Sequence, residues 1–258
     1  MTLTIAIFGC GGHLSDPIIF SLLANGYQLR LFSTSRTKVM LEEKELKVLS
    51  YSPQDCPVSM AYDLDLIINL CTEGVNHKKH HGIQTHIKNI EIAAACANLA
   101  SASKGKKLLH VGSYHEMRLS EHTKKIASCL SSQASLPLLP IDDYAFSKSI
   151  QTIILSSLSA ACGIESLVVM APNVYGPPNP AKSLAGHLDE VANQRQTLKL
   201  RQPNAIITSV DIQTFVNLLI QQAKLLVSSP HTPQCIVTSI PGEISTVAQF
   251  VSMYLKDK

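Results

Sequence analysis

The stretch Thr4-Ile5-Ala6-Ile7-Phe8-Gly9-Cys10-Gly11-Gly12-His13-Leu14-Ser15 decides the fold. Its apolar half, Thr4–Phe8, predicts a buried β-strand that passes directly into a glycine-rich turn. Residues 17–25 then follow a helical pattern, with Asp16 as the expected N-cap and Gly26 just past the end. In this order, strand, turn and helix present backbone amides at a helix N-terminus, where a pyrophosphate can bind.

The glycine spacing is Gly-x-x-Gly-x-x-Ser, formed by Gly9, Gly12 and Ser15. It differs from the Gly-x-Gly-x-x-Gly of the usual dinucleotide fingerprint, so an ordinary glycine-bearing turn is an alternative interpretation. The position after the first strand and before a helix favours dinucleotide binding. Because Ser15 stands where a third glycine is usual, we expect the helix to accommodate its hydroxymethyl group.

Strand and helix patterns alternate through the first two thirds of the chain. Further strands are predicted at 28–32, 46–49, 64–71, 107–112 and 166–170, and helices at 86–101, 144–161, Leu184–Gln194, 212–226 and 245–255. Repeated strand–helix–strand units predict an α/β fold with a doubly wound parallel sheet, a Rossmann fold. We expect a dinucleotide-binding domain over 1–170, to which 206–240 return, and a small C-terminal substrate-binding lobe from 171–205 and 241–258.

Composition limits the classes of function. The 258 residues include 22 Lys and Arg against 19 Asp and Glu, a net charge of +3, which argues against a nucleic-acid-binding protein. The 45% of hydrophobic residues is typical of a globular protein, and no apolar run of about 18 residues predicts a membrane span. The start of the chain does not resemble a signal peptide, and the seven cysteines form no CxxC pair, so we expect reduced thiols and a cytoplasmic location.

The end of the second strand bears on which dinucleotide binds. The segment Phe32-Ser33-Thr34-Ser35-Arg36 has no carboxylate to hold a ribose 2′-hydroxyl, whereas Arg36 suits a 2′-phosphate. This favours NADP(H) as the cofactor, with NAD(H) possible. The alternative is that Arg36 is an ordinary solvated loop residue.

A second group of residues points to acid–base chemistry. Tyr144 and Lys148 are four residues apart and share one face of a predicted helix. An adjacent ammonium stabilises a phenolate, which lowers the pKa of the tyrosine and makes it a usable general acid or base. Ser113 follows the fifth strand, and Ala171-Pro172-Asn173-Val174-Tyr175-Gly176-Pro177 follows the sixth. Both segments come at carboxyl strand ends, where open α/β proteins bind ligands.

Together these motifs resemble the extended short-chain dehydrogenase/reductase family, the NAD(P)-dependent nucleotide-sugar epimerases, dehydratases and reductases. Asn89, in the helix after the fourth strand, matches a structural asparagine of that family, and Val210-Asp211 resembles its Val-Asp-Asp segment. The family usually has an arginine just before this proline and asparagine segment, where this chain has Met170. Ile212 stands in place of the second aspartate. The chain is also shorter than typical members of the family, which implies a reduced substrate lobe.

The resemblance implies roles for individual residues. Tyr144 would be the catalytic acid/base, Lys148 would lower its pKa and hold the nicotinamide ribose, and Ser113 would orient the substrate oxygen. Expected to contact the cofactor are Gly9, Gly12, His13, Leu14, Ser33, Ser35, Arg36, Leu70, Cys71, Thr72, Asn89, Tyr144, Lys148 and Pro172. Expected to contact the substrate are Ser113, Tyr114 and Asn173.

The predicted activity is hydride transfer between the cofactor and a sugar carbon, on a substrate that we expect to be nucleotide-linked. A reductase of a smaller carbonyl compound and a non-catalytic sensor or scaffold remain alternatives. The resemblance also implies a homodimer built from a helix bundle. Asn76-His77-Lys78-Lys79-His80-His81 invites a metal interpretation, but it has no partner ligands at a fixed spacing, so we predict a solvated loop and no metal site.

Overall fold

The computed structural model describes residues 2–34, 36–41, 44–52, 58–73, 82–117, 143–181, 183–194 and 198–256. Its strands are β1 Thr4–Phe8, β2 Gln28–Ser33, β3 Lys38–Leu41, β4 Lys44–Ser50, β5 Leu66–Asn69, β6 Lys107–Ser113, β7 Glu165–Ala171, β8 Asn173–Tyr175, β9 Ile206–Asp211, β10 Gln234–Ser239 and β11 Glu243–Thr246. Its α-helices are α1 Ser15–Ala24, α2 Ile83–Ala102, α3 Asp143–Ala161, α4 Leu184–Gln194, α5 Ile212–Ser228 and α6 Val247–Lys256.

Within these residues the large sheet has the order β10-β7-β6-β5-β1-β2-β4-β3. All of its pairings are parallel except the β3–β4 hairpin. From β1 the chain runs outward through β2 and β4, then returns to β5 on the other side of β1. The predicted doubly wound α/β fold is therefore confirmed, and the carboxyl ends of β1 and β5 form its topological switch point.

Helices cover both faces of this sheet, because its central strands are apolar on both sides. On one face α1 and α5 pack around Ile18, Leu22 and Phe215. On the other face α2 and α3 pack against Phe8, Ile67 and Leu108. Helix α1 begins one residue earlier than its expected cap: Leu14 occupies the N-cap position without a side-chain bond, and Asp16 lies in the first turn. The predicted Asp16 cap is therefore wrong.

A second sheet of three strands lies beside the first, in the order β11-β9-β8. Helices α4 and α6 pack together beside it, around Leu188, Phe250 and Tyr254. Strand β9 pairs with β8 and β11, whereas β10 extends the large sheet. The division into a dinucleotide-binding domain and a substrate lobe remains a prediction. No helix in the described part of the chain has the length and apolar character needed to cross a membrane.

Candidate active site

A cleft of about 730 Å³ opens at the carboxyl ends of the central strands, between the large sheet and the second sheet. It brings together most of the residues singled out from the sequence. These are Gly9, Gly12, His13, Leu14, Ser33, Leu70, Cys71, Thr72, Ser113, Tyr144, Lys148, Pro172 and Asn173. Their convergence on one cavity at the switch point makes it the candidate active site.

Three expected site residues do not line this cleft. Arg36 is turned toward the start of α1, Asn89 is buried behind the loop that follows β5, and the Tyr114 hydroxyl donates a hydrogen bond to the Ile240 carbonyl oxygen at 2.7 Å. Ser35 and the histidine-rich segment 76–81 lie outside the described residues.

The glycine turn is shaped by close approach of two chain segments. Gly9 has φ of +95°, and a Cβ there would lie 2.7 Å from the Cys71 backbone nitrogen. Only glycine meets both conditions without strain. At Gly12 a Cβ would meet no atom within 4 Å, so this residue borders open space. Ser15 is accommodated because its hydroxyl donates to the Gly12 carbonyl oxygen at 2.7 Å, which braces the turn.

His13 gives the turn a polar feature that the chain does not satisfy. Both ring nitrogens are buried and make no hydrogen bond of ordinary geometry with the residues described. Burial lowers the pKa of the imidazole and outweighs the opposing influence of the Pro178 backbone. Buried polar atoms normally have partners, so an unsatisfied ring on the wall of a cleft fits a site built for a polar ligand.

The loop after β5 forms the floor of the cleft and is held by amide side chains. Asn69 accepts a hydrogen bond from the Cys71 backbone N–H at 2.9 Å, and Gln151 donates to the Cys71 carbonyl oxygen at 3.0 Å. Asn89 accepts from the Glu73 backbone N–H at 2.9 Å and donates to its carbonyl oxygen at 3.1 Å. Asn89 thus fixes the backbone of a residue that lines the cleft.

Ser113 is oriented through its own backbone and side chain. Its N–H donates to Glu116 Oε1 at 2.7 Å, while its Oγ accepts from the His115 N–H at 3.2 Å. The serine is 5% exposed, at the end of β6. Because the amide of His115 occupies one lone pair of the oxygen, the hydroxyl proton can point toward an acceptor in the cleft.

Tyr144 and Lys148 extend from the first turns of α3 into the same cleft. The Tyr144 ring packs edge-on against the His115 ring, with centroids 5.6 Å apart. The Lys148 ammonium donates to the Val111 carbonyl oxygen at 2.9 Å, two residues before Ser113. Burial lowers the pKa of Lys148 to about 8, although the Glu116 carboxylate opposes the shift.

Beyond Tyr144, the cleft is walled by the second sheet and its helices. Its lining there is mostly apolar, from Tyr175, Leu184, Ile207 and Phe250. The Asn173 side chain donates to the Thr208 carbonyl oxygen at 2.9 Å. Among the described lining residues, Lys148 is the one lysine or arginine.

Sequence reasoning missed several lining residues. They are Gly11, Thr34, Tyr51, Glu73, His115, Ser183, Leu184, Ala185, Ile207, Ser209 and Phe250. His115 had a usable signal, since it stands two residues after Ser113 at a carboxyl strand end. Phe250 and Ile207 had none, because they reach the cleft through packing of the second sheet and α6.

The fold and the cleft define a Rossmann-type α/β protein. Comparison with sequence families then places it further: the chain belongs to the NAD dependent epimerase/dehydratase family, whose sequence model matches residues 5–209. The family that the motifs resembled is therefore confirmed. A comparison with curated protein sequences found no match.

Solved structures share the fold at low identity. The UDP-N-acetylglucosamine 4-epimerase from Methanobrevibacter ruminantium M1, in complex with UDP-N-acetylmuramic acid, aligns with a TM-score of 0.77 at 14% identity, covering 98% of this chain and 81% of that one. The Bacillus cereus UDP-N-acetylglucosamine 4-epimerase gives 0.72 at 18% identity, covering 99% and 81%. The Bordetella bronchiseptica enzyme WbmG, in complex with NAD, gives 0.74 at 16% identity, covering 100% and 78%.

Proposed function

We propose that the protein is an enzyme that transfers hydride between a nicotinamide dinucleotide and a carbon of a sugar, on a nucleotide-linked substrate. The observation that carries the proposal is the convergence of Ser113, Tyr144 and Lys148 on one cleft with the glycine turn. Family membership supports nicotinamide chemistry. The solved relatives named above, which act on UDP-sugars or bind them, support the substrate class.

The residues of the cleft fit a dinucleotide. Gly12 leaves open space at the start of α1, and the unsatisfied His13 ring lies beside it, so a pyrophosphate would contact the amides and the imidazole there. Leu70, Cys71 and Thr72 would run along the cofactor, and Pro172 would pack near its nicotinamide. The nicotinamide, when bound, supplies or accepts the hydride.

The chain's own residues would handle the proton and the geometry. Tyr144 would exchange a proton with the substrate oxygen, and Ser113 would donate a hydrogen bond to that oxygen. Lys148 would hold the nicotinamide ribose and, while protonated, favour the Tyr144 phenolate. Net reduction and epimerisation use the same three residues, because an epimerisation is an oxidation followed by return of the hydride to the other face.

For the cofactor we propose a preference for NADP(H), with NAD(H) as the alternative. Arg36 lies just beyond β2 and its guanidinium is held by Asp16 at 2.7 Å and by the Lys38 carbonyl oxygen at 2.7 Å. Its side chain keeps 31% exposure, and its N–H donates to Ser33 Oγ, which places it beside a residue of the cleft. A 2′-phosphate would compete with Asp16 for the same guanidinium.

One observation favours a second candidate, a reductase of a smaller, uncharged carbonyl compound. The described wall beyond Tyr144 is mostly apolar, and among the described lining residues Lys148 is the one lysine or arginine that a diphosphate could meet. A diphosphate is bound most strongly by arginine or lysine. A substrate without a diphosphate would not need a further cation in that wall.

The test is turnover with each cofactor against a panel of UDP-sugars and against small ketones and aldehydes. Tyr144→Phe is expected to lose turnover by about 10²–10⁴-fold while it still binds the cofactor, because the phenol acts only on the proton. Tyr62→Phe, at a tyrosine 70% exposed, is the matched control. Turnover of small carbonyls alone would favour the second candidate. Cofactor binding without turnover on any substrate would favour a sensor or scaffold.

We also propose a homodimer formed through α2 and α3, which would act in the cytoplasm with its cysteines reduced. These helices pack together and leave apolar side chains exposed on their outer faces. The exposed residues are Ile83, Ile87, Ile90, Phe146 and Ile153. Light scattering is expected to report a dimer that Ile153→Asp dissociates and that Leu225→Asp, at an equally exposed leucine on α5, leaves intact.

A further inference from the structure

Glu116 is a buried carboxyl group behind the cleft that has no part in the steps above. It lies in the short 3₁₀ turn Tyr114–Met117, is 8% exposed and does not line the cavity. A buried carboxyl group loses hydration and has to be compensated by hydrogen bonds or by a charge. Its partners therefore indicate what the group does.

Both carboxylate oxygens accept hydrogen bonds, and the two donors come from different elements. Oε1 accepts from the Ser113 N–H at 2.7 Å, and Oε2 accepts from the Thr152 hydroxyl at 2.7 Å. Thr152 lies on α3, one helical turn beyond Lys148 and on the same face. Glu116 thus connects the end of β6, which carries the serine, to the helix that carries the tyrosine and the lysine.

The packing on the strand side leaves room for this carboxylate. A Cβ on Gly112 would lie 2.7 Å from Glu116 Oε1, so the absence of a side chain there lets the oxygen approach the strand. Gly112 is the residue immediately before Ser113. The space that Gly112 leaves therefore lets the same oxygen reach the Ser113 N–H.

Glu116 also supplies a negative charge to balance the buried Lys148 ammonium. The Lys148 ammonium interacts electrostatically with Glu116 from the 3₁₀ turn, Cys71 from the loop after β5, and His110 from β6. Burial raises the pKa of the Cys71 thiol to about 11 and holds the pKa of His110 well below its usual range, so both are uncharged near neutral pH. Tyr144 and His115 lie on the cleft side. Among these described neighbours, Glu116 is the counter-charge available to the ammonium.

We propose that Glu116 is a positioning residue that holds the Ser113 strand end and α3 in register and balances the buried Lys148 ammonium. The inference deepens the proposed function, because Ser113 and Lys148 belong to that site. Burial raises the pKa of Glu116, and the Thr152 and Ser113 donors and the Lys148 charge oppose the rise. Both oxygens accept hydrogen bonds, as an ionised carboxylate does.

The test measures the contribution of Lys148 to the free energy of unfolding as a function of pH, by comparing the parent protein with Lys148→Met. The pKa of Lys148 is about 8 in the folded protein, against 10.5 for an ordinary lysine. Between those values the unfolded chain binds a proton that the folded chain has released. The stability contribution of Lys148 therefore rises with pH from about 8 upward.

The same comparison is then made in the Glu116→Gln background. Loss of the counter-charge disfavours the ammonium further. The pH at which the stability contribution of Lys148 begins to rise is therefore expected to be about one unit lower. Glu165→Gln is the matched control, since Glu165 is an equally buried carboxylate beside Lys107 at the opposite end of the sheet, and it should leave the onset unchanged. An onset that does not move in Glu116→Gln overturns the proposal.

If Glu116→Gln does not fold, Glu116→Asp takes its place, because it withdraws the carboxylate by one methylene. A smaller decrease in the pH at which the stability contribution of Lys148 begins to rise is then expected. If that pH does not change, the proposal is again overturned. The unfolding measurement needs neither cofactor nor substrate. Failure to bind a dinucleotide would therefore refute the proposed function separately, while the onset still decides the role of Glu116.

Discussion

The two ends of the large sheet each bury a lysine beside a glutamate, and the two ammonium groups differ in the number of hydrogen bonds they make. Lys107, at the amino end of β6, donates to the carbonyl oxygens of Leu226, Val227 and Ser229 and lies 3.6 Å from Glu165. Lys148, at the carboxyl end, makes one hydrogen bond among the described residues, to Val111. A saturated ammonium serves the fold, whereas a buried one with unused donors is available to a ligand.

The largest expected effect is on turnover at the carboxyl end. Lys148→Met removes the charge that favours the Tyr144 phenolate, so turnover is expected to fall by about 10²–10⁴-fold. The free energy of unfolding at neutral pH should not fall, since the variant no longer buries an ammonium. Steady-state kinetics and chemical denaturation measure the two quantities. Loss of stability with turnover retained would reverse the roles assigned to the two lysines.

The second prediction concerns the amino end. Lys107→Met leaves Glu165 buried without its cation and removes the donor to three carbonyl oxygens, so the free energy of unfolding should fall by about 3–5 kcal/mol. Turnover per folded molecule should stay at the parent value, because this lysine is far from the cleft. Urea denaturation with a parallel activity assay measures both. A variant as stable as the parent would contradict the structural role of Lys107.

The third and smallest effect concerns Arg36. Like Lys107 it is paired with a carboxylate, here Asp16, and like Lys148 we expect it to contact a ligand. Arg36→Ala is expected to weaken NADPH binding by roughly tenfold to a hundredfold and to change NADH binding little. Lys38→Ala is the control, since Lys38 is an exposed cation paired with Glu45. Equal losses for both dinucleotides in fluorescence titrations would refute the NADP(H) preference.

The sequence predicted those parts of the structure that are set locally. Thr4–Phe8, the glycine turn and α1 follow directly from an apolar run, glycine positions and a helical pattern. The strand rule also predicted that Ser113 and Pro172 lie at one edge of the sheet, because the carboxyl ends of parallel strands share it. The predicted cap of α1 was wrong because the helical hydrogen bonds begin before Asp16, with the Ile18 N–H donating to the Leu14 carbonyl oxygen at 3.3 Å.

The remainder depends on contacts between distant segments. Strands β8, β9 and β11 are partly exposed, so their apolar patterns are weak, and their hydrogen-bonded partners lie far away in the chain. No sequence pattern singled out Glu116, since its contact with Thr152 joins positions 36 residues apart. Phe250 reaches the cleft through the packing of α6. Periodicity describes which face of an element is buried, and it does not identify the neighbour.

The central claim is that the cleft at the carboxyl ends of β1 and β5 binds a nicotinamide dinucleotide against the glycine turn. The most direct measurement is calorimetric titration of NADPH and NADH into the parent protein and into Gly12→Val. A valine fills space that is open in the chain itself, so the fold should survive and saturable one-site binding should be lost. Parent protein that binds neither dinucleotide, or Gly12→Val that binds as tightly as the parent, would contradict the claim.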